Sequence, residues 1–328
     1  MNHNEECCFI LHYWKKNRIF AAMKNLKNRK GFGYVAVLLA MAFWGLSFVW
    51  IKHLLNNNFP VFTIVFIRLV LASAVFMTLL KCRKKLQKIA RSDYKDFILL
   101  AFFEPFLYFI GEDFGLQYVD ASFAAVIIAL IPIVISITMF FAEHTPIRWE
   151  FVAGTLVSVG GVLLLTMSPG GQIIFNLKGT MLLGLAVLAA CGYSVLLTRL
   201  VRKYSPVTVT TWQNFIAIPF YLPLVLIFDI RHWGSLTWDV SAVFSLVCLA
   251  LLCSAGAYML YSYSVKQLTV TKTSIFTNLI PIVTLFAAAA IGQETYTQTK
   301  FWGIVVIVLG VTFSQMTVKH DEAMKNDE

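Results

Sequence analysis

Ten apolar stretches follow one another along the chain, separated only by short polar segments. Each is close to the roughly 20 residues that carry an α-helix across a bilayer. They run approximately over 34–54, 60–80, 97–117, 121–141, 149–167, 179–198, 206–228, 241–262, 270–291 and 300–318. This succession leaves few folds open. In hydrocarbon every backbone N–H and C=O must find a partner within the protein, so only helices and closed barrels span it, and runs of this length specify helices. A water-soluble core cannot use so many helices that are apolar all round, because one face of most helices must meet water. Only 13% of the residues are charged and 59% are hydrophobic, against about 25% charged in a soluble domain. The chain reads as an all-α integral membrane protein with ten transmembrane helices.

The charges that remain are sorted by loop. Lys and Arg fall in residues 1–33, in residues 81–95, at Arg148, Arg199, Arg202, Lys203, Lys266 and Lys272, and in the tail at Lys319 and Lys325, 22 in all. The opposite side carries only Lys52, Lys178, Arg231 and Lys300, and Arg68 lies inside a span. Cytoplasmic loops carry the excess of Lys and Arg, so both termini are expected in the cytoplasm of a bacterial-type inner membrane. The net charge of +10 is therefore an orientation signal, and no nucleic-acid partner is implied. Cys7, Cys8 and Cys82 fall on the inner side, and Cys191, Cys248 and Cys253 within helices, so no disulfide framework is expected. Residues 1–33 form a basic cytoplasmic segment in which Met23 is an alternative start, and 319–328 a cytoplasmic tail.

The chain also repeats itself. Leu130-Ile131-Pro132-Ile133-Val134 returns as Leu279-Ile280-Pro281-Ile282-Val283, an offset of 149 that also maps Gly154 onto Gly303 and Gly161 onto Gly310. Slightly smaller offsets map Trp44-Gly45-Leu46-Ser47 onto Cys191-Gly192-Tyr193-Ser194, Lys52 onto Arg199 and Pro60 onto Pro206. Residues 34–167 and 179–318 thus read as two copies of one five-span unit. Five is odd, so the second copy enters from the opposite side. Such inverted repeats are typical of secondary transporters, with the substrate site near the midplane between the halves.

These residues resemble a known family. Trp44-Gly45-Leu46-Ser47-Phe48 with Lys52, Phe66-Ile67-Arg68, Ala121-Ser122 at the start of the fourth span, Ile131-Pro132-Ile133 and Glu143 look like the EamA-type permeases of the drug/metabolite transporter superfamily. The second copy repeats the pattern with Pro281, Glu294 and Gly303. The resemblance covers about 34–318. It implies a 5+5 inverted fold with a central cavity, and export or exchange of small organic metabolites or drugs. The chain departs from the common pattern at Phe103-Glu104-Pro105 and Gly111-Glu112-Asp113, where small or apolar residues are usual.

Charges inside a bilayer cost about 2.5–3.5 kcal/mol on insertion scales and are functional candidates by default. Arg68, Glu104, Glu112 and Asp113 qualify. At ~1.5 Å per residue Arg68 lies about 12 Å below the outer surface, Glu104 about 19 Å and Glu112 about 7 Å. Arg68 is bracketed in depth by the two acids, which predicts an Arg–carboxylate pair and a carboxylate able to take a proton or a cationic substrate. Asp113 is turned ~180° from Glu104 and reads as an interfacial residue. In the ninth span Ser274, Thr277, Asn278 and Pro281 share one helical face and form an expected polar cavity wall. Trp44, Tyr108, Phe109, Trp212 and Tyr258 are the mid-span aromatics, and Asn214 is a further cavity candidate. Pro132 and Pro281 are candidate hinges. Glu143 and Glu294 end equivalent helices and read as cap or gate residues.

No Walker A, HExxH, Cys/His cluster or GxSxG motif occurs, so neither enzyme chemistry, a cofactor nor a metal is expected. The leading expectation is a secondary transporter working by alternating access. Proton coupling and facilitated diffusion are both open, as is a homodimer, and membrane lipid is the surrounding partner. The rivals are a sugar-phosphate or nucleotide-linked anion exchanger of the same fold, and a membrane-embedded lipid-modifying enzyme.

Overall fold

The computed structural model describes residues 29–115, 117–119, 121–166, 176–292 and 297–316, and among these every regular element is helical. Cys7, Cys8, Glu294 and Ser168-Pro169-Gly170-Gly171, which the sequence places after the fifth span, lie outside the described residues. The first two spans are α1 (Arg29–Asn56) and α2 (Val61–Cys82). The third is split into α3 (Tyr94–Ala101), a widened turn Phe102–Leu107, and α4 (Tyr108–Gly115). The fourth is α5 (Ala121–Ala129) and α6 (Ile131–Glu143), and the fifth is α7 (Trp149–Thr166). The sixth and seventh are α8 (Leu177–Lys203) and α9 (Pro206–Leu224). The eighth joins α10 (Val240–Cys248) to α11 (Tyr258–Leu268) through a second widened segment, Leu249–Ala257. The ninth joins α12 (Val270–Ser274) to α13 (Ile280–Ala290) through a tight turn, Ile275–Leu279. The last is α14 (Gln298–Met316).

Eight helices among the described residues are long and apolar enough to cross a membrane, where the sequence predicts ten. The other two expected segments are helical. The third span carries Glu104, Glu112 and Asp113 around its break, and α14 is bounded by Gln298, Lys300 and Gln315.

Helix starts follow local chemistry. The Asn176 side chain accepts from the N–H of Lys178 and Gly179, Ser205 from that of Thr208 with Pro206 beside it, and Asp239 from that of Ala242. Each satisfies N–H groups that a helix leaves unpaired at its start. Pro132 and Pro281 stand in the first turn of α6 and α13, where a missing N–H costs nothing. The residue before each of these helices adopts nearly the same backbone: Leu130 at φ −81°, ψ −13° and Leu279 at φ −83°, ψ −15°.

Packing is matched between the two sequence copies. Helix α8 packs on α4 and α6, while α1 packs on α11 and α13; α9 lies against α2. Helices α7 and α14 run antiparallel at close approach. A Cβ on Gly154 would fall 2.6 Å from the Gly310 carbonyl oxygen, and one on Gly161 would fall 2.8 Å from that of Gly303. Only glycine admits this contact, which lets van der Waals packing draw two helices together in an apolar medium. Gly310→Leu should therefore destabilise the fold by about 1–3 kcal/mol or more, read as a lower thermal midpoint and a loss of monodisperse protein. Gly160→Leu on the partner helix α7 meets open space and should be tolerated.

Candidate functional site

The site begins with the break in the third span. Glu104 has extended backbone, φ −145° and ψ 124°, in the middle of an otherwise helical run, and Pro105 follows it. The break frees carbonyl groups that, in hydrocarbon, cost several kcal/mol if left alone. Helix α9 supplies the partners. Gln213 Nε2 donates to the Glu104 carbonyl at 2.9 Å, and the Tyr221 hydroxyl donates to the Pro105 carbonyl at 3.1 Å. On the same helix, Asn214 Nδ2 donates to the Ser254 carbonyl at 2.6 Å, inside the second widened segment. One helix thus secures the irregular turns of the third and eighth spans. All three side chains are buried.

The Glu104 side chain is turned toward α11. The Tyr258 hydroxyl donates to its Oε1 at 3.0 Å. Tyr258 in turn stands edge-on to Trp44 of α1, ring centroids 5.1 Å apart, and Trp44 also meets Tyr261 at 5.3 Å. The Phe103 ring lies so close to Gly192 of α8 that a Cβ there would come within 2.9 Å of it. Glu104, Trp44 and Tyr258 therefore come together.

Tyr108 and Glu112 meet one turn further on, the Tyr108 hydroxyl donating to Glu112 Oε1 at 3.2 Å. Arg68 is 6% exposed on α2. Its guanidinium carbon lies 4.8 Å from the centre of the Phe109 ring, a cation–π contact. The expected Arg68–carboxylate pair is not formed: no acid among the described residues is within 4.0 Å of it, and its buried Nε has no hydrogen-bond partner. The widened turn is the physical reason. It changes the angular register along the third span, so Glu104 faces α9 and α11 while Phe109, on the next helical segment, meets Arg68.

The ninth-span stripe is committed to packing. Ser274 donates back to the Thr271 carbonyl and Thr277 to that of Ser274. Asn278, 2% exposed, donates to Ser158 Oγ of α7 at 3.0 Å. Trp212 is not with the other aromatics. Its indole N–H donates to the Gln87 carbonyl in the 81–95 loop. Glu143 ends α6 and takes Arg202 at 2.7 Å and Arg199 at 3.7 Å, tying the ends of α6 and α8 together. Among the described residues no group of three or more His, Cys, Asp or Glu could hold a metal ion.

The sequence model of the EamA-like transporter family matches the chain over residues 31–167 and 177–316. The chain belongs to the EamA-like transporter family. Its relatives include the uncharacterized transporter YetK of Bacillus subtilis, 25% identical over 306 residues and covering 91% of each chain. An uncharacterized transporter of Archaeoglobus fulgidus is 26% identical over 281 residues, 85% of this chain and 96% of its own. A chloroplastic WAT1-related protein of Arabidopsis thaliana is 28% identical, covering 82% of this chain and 66% of its own. A solved crystal structure shares the fold at a TM-score of 0.71 with 17% identity, covering 88% of this chain and 98% of that one. The eight apolar helices and the family together make this EamA-like protein a multi-pass membrane protein with a transporter role.

Gln213 and Tyr221 of this transporter carry no motif and no charge that marks them in the sequence. A signal exists: Thr210, Gln213, Asn214, Ala217 and Tyr221 recur at helical spacing along one face of α9.

Proposed function

We propose that this EamA-like transporter is a secondary permease that exports or exchanges small organic metabolites or drugs by alternating access. Its two five-helix halves are inverted, its termini are cytoplasmic, and it resides in a bacterial-type inner membrane. The observation that carries this reading is the setting of Glu104. The residue sits at the break of a span in the first half, and its carboxylate and carbonyl are held by Tyr258 and Gln213 of the second half. A proton or solute taken by that carboxylate changes a contact between the halves, and a ligand shifts an equilibrium by binding its two states unequally. The exchange-matched packing and the family match in two segments support the inversion. Arg68, Glu112, Trp44 and Tyr108 complete the proposed solute site. Pro132 and Pro281 mark the breaks about which the halves bend, and Glu143 with Arg202 latches one face.

A second reading has its own support. Arg68 is a buried cation without a hydrogen bond, which suits an anionic cargo such as a sugar phosphate. Two experiments test the whole. Reporter fusions after Lys85 and Lys203 should read cytoplasmic and one after Gly171 external; an external signal after Lys85 would sink the inverted arrangement. Purified protein in vesicles should then give saturable counterflow with a member of a labelled panel of organic cations, zwitterions and anions. Folded protein that gives no counterflow across the panel would count against a permease, and the charge of any cargo decides between the two readings.

A further inference from the structure

The loop after α2 is more ordered than an orientation signal requires. Residues 81–95 hold Lys81, Arg83, Lys84, Lys85, Lys88, Arg91 and Lys95, all exposed and none with an ion-pair partner among the described residues. Charge alone orients a membrane protein, and a slack loop would serve. This one is pinned. Ile89 is buried in the main core. The Gln87 side chain accepts from the Ser205 N–H at 2.6 Å, and the Gln87 carbonyl accepts from Trp212 at 3.3 Å. The Ala90 N–H donates to the Tyr204 hydroxyl at 3.0 Å. Asp93 takes Lys203 at 2.9 Å and the Tyr204 hydroxyl at 2.8 Å. Those two bonds hold its carboxyl below the usual range, Lys203 being the larger cause, so the tie is intact at neutral pH and is lost only as pH falls through that lowered value. The loop's one buried acid is thereby spent on Lys203 and leaves the seven cations alone.

The neighbours of the loop fix its height. Leu79, Tyr94 and Ile98 flank it and are each about half exposed, at 50%, 47% and 47%. Large apolar side chains left uncovered at the ends of apolar helices face lipid, and tyrosine marks the interface. The cations therefore stand at headgroup level beside the hydrocarbon edge. Lys84 even adopts left-handed backbone, φ +52°, at the turn that closes α2, a place where glycine would be the easier choice. We propose that residues 81–95 form a binding surface for anionic phospholipid headgroups, with Arg83, Lys84, Lys85 and Lys88 holding the headgroup phosphates. Clusters of this size next to a membrane helix are suited to such lipids. The surface is independent of the transport reading and needs only that the chain is embedded.

The test uses the purified full chain in a neutral detergent, where orientation plays no part. Phosphatidylglycerol should raise the thermal unfolding midpoint and remain bound in native mass spectra, whereas phosphatidylcholine and inorganic phosphate should do neither. Replacing Arg83, Lys84, Lys85 and Lys88 together by Gln should weaken phosphatidylglycerol binding about tenfold or more. The same number of Gln replacements at Lys15, Lys16, Lys24 and Lys27 should not. If the fourfold variant fails to fold, Lys84→Gln with Lys85→Gln should show a partial loss that Lys84→Arg with Lys85→Arg restores. Equal retention of both lipids, an equal response to inorganic phosphate, or equal loss in the Lys15–Lys27 variant would overturn the proposal.

Discussion

Glu104→Gln should leave the protein folded and able to bind solute, while transport loses its dependence on a pH gradient. The amide keeps an oxygen where the Tyr258 hydroxyl donates at 3.0 Å, and the Gln213 bond is made to the backbone carbonyl, which the substitution does not touch. What disappears is the carboxylate itself. A carboxylate within a span carries about 2.5–3.5 kcal/mol of insertion penalty that binding a proton or a cation can offset, whereas the neutral amide takes up no proton. Tyr258→Phe is the companion measurement. It removes the donor and keeps the acid, and should cost about 1.5–3 kcal/mol of the carboxylate's stabilisation, shifting the pH at which transport is half-maximal without abolishing coupling. Vesicles with imposed pH gradients read both. A Gln variant that still transports with full gradient dependence would remove Glu104 from the coupling step.

The membrane architecture is legible in the sequence because bilayer thickness and backbone hydrogen bonding act on every span in the same way. The run of apolar stretches marks eight of the crossing helices plainly, and the Leu-Ile-Pro-Ile-Val repeat places Leu130 and Leu279 in matching backbone. The break at Glu104-Pro105 is legible as a departure from pattern. Its consequence is not. Rise per residue gives depth, which brackets Arg68 between two acids, but pairing depends on direction around the helix as well, and a widened turn resets that direction. Hence Arg68 meets Phe109 and Glu104 meets Tyr258. The ninth-span stripe misleads for a related reason. Helical spacing groups Ser274, Thr277 and Asn278 on one face, yet hydroxyls back-bond within the helix, and only the packing partner shows that Asn278 is engaged by Ser158. Trp212 is six residues into α9, near enough to the helix start to anchor a loop. Periodicity finds faces; it does not say which face meets which neighbour.

Arg68→Leu should raise the thermal stability of the protein and abolish transport. The sequence alone argues the opposite, since breaking an ion pair strands its partner at a cost of about 3–5 kcal/mol. No such pair exists among the described residues. Arg68 is 6% exposed, its buried Nε has no hydrogen-bond partner, and its guanidinium carbon lies 4.8 Å from the centre of the Phe109 ring. Cation–π contact supplies about 0.5–2 kcal/mol, less than the roughly 2.5–3.5 kcal/mol that an arginine costs within a span. Leucine fills the same helical face of α2 without that deficit and keeps apolar contact with Phe109. A net gain of about 1–2 kcal/mol follows from the difference. A residue kept at a loss to stability is kept for what it does, and proteins commonly trade stability for a working site in this way. Two measurements separate the outcomes: the thermal midpoint of the purified variant, and its counterflow activity in vesicles. A lower midpoint for Arg68→Leu would mean that the cation has a stabilising partner after all, and a second substitution, Glu112→Gln, should then recover part of the loss. A higher midpoint with full transport would make Arg68 a bystander. A higher midpoint with transport lost assigns the buried cation to the moving solute.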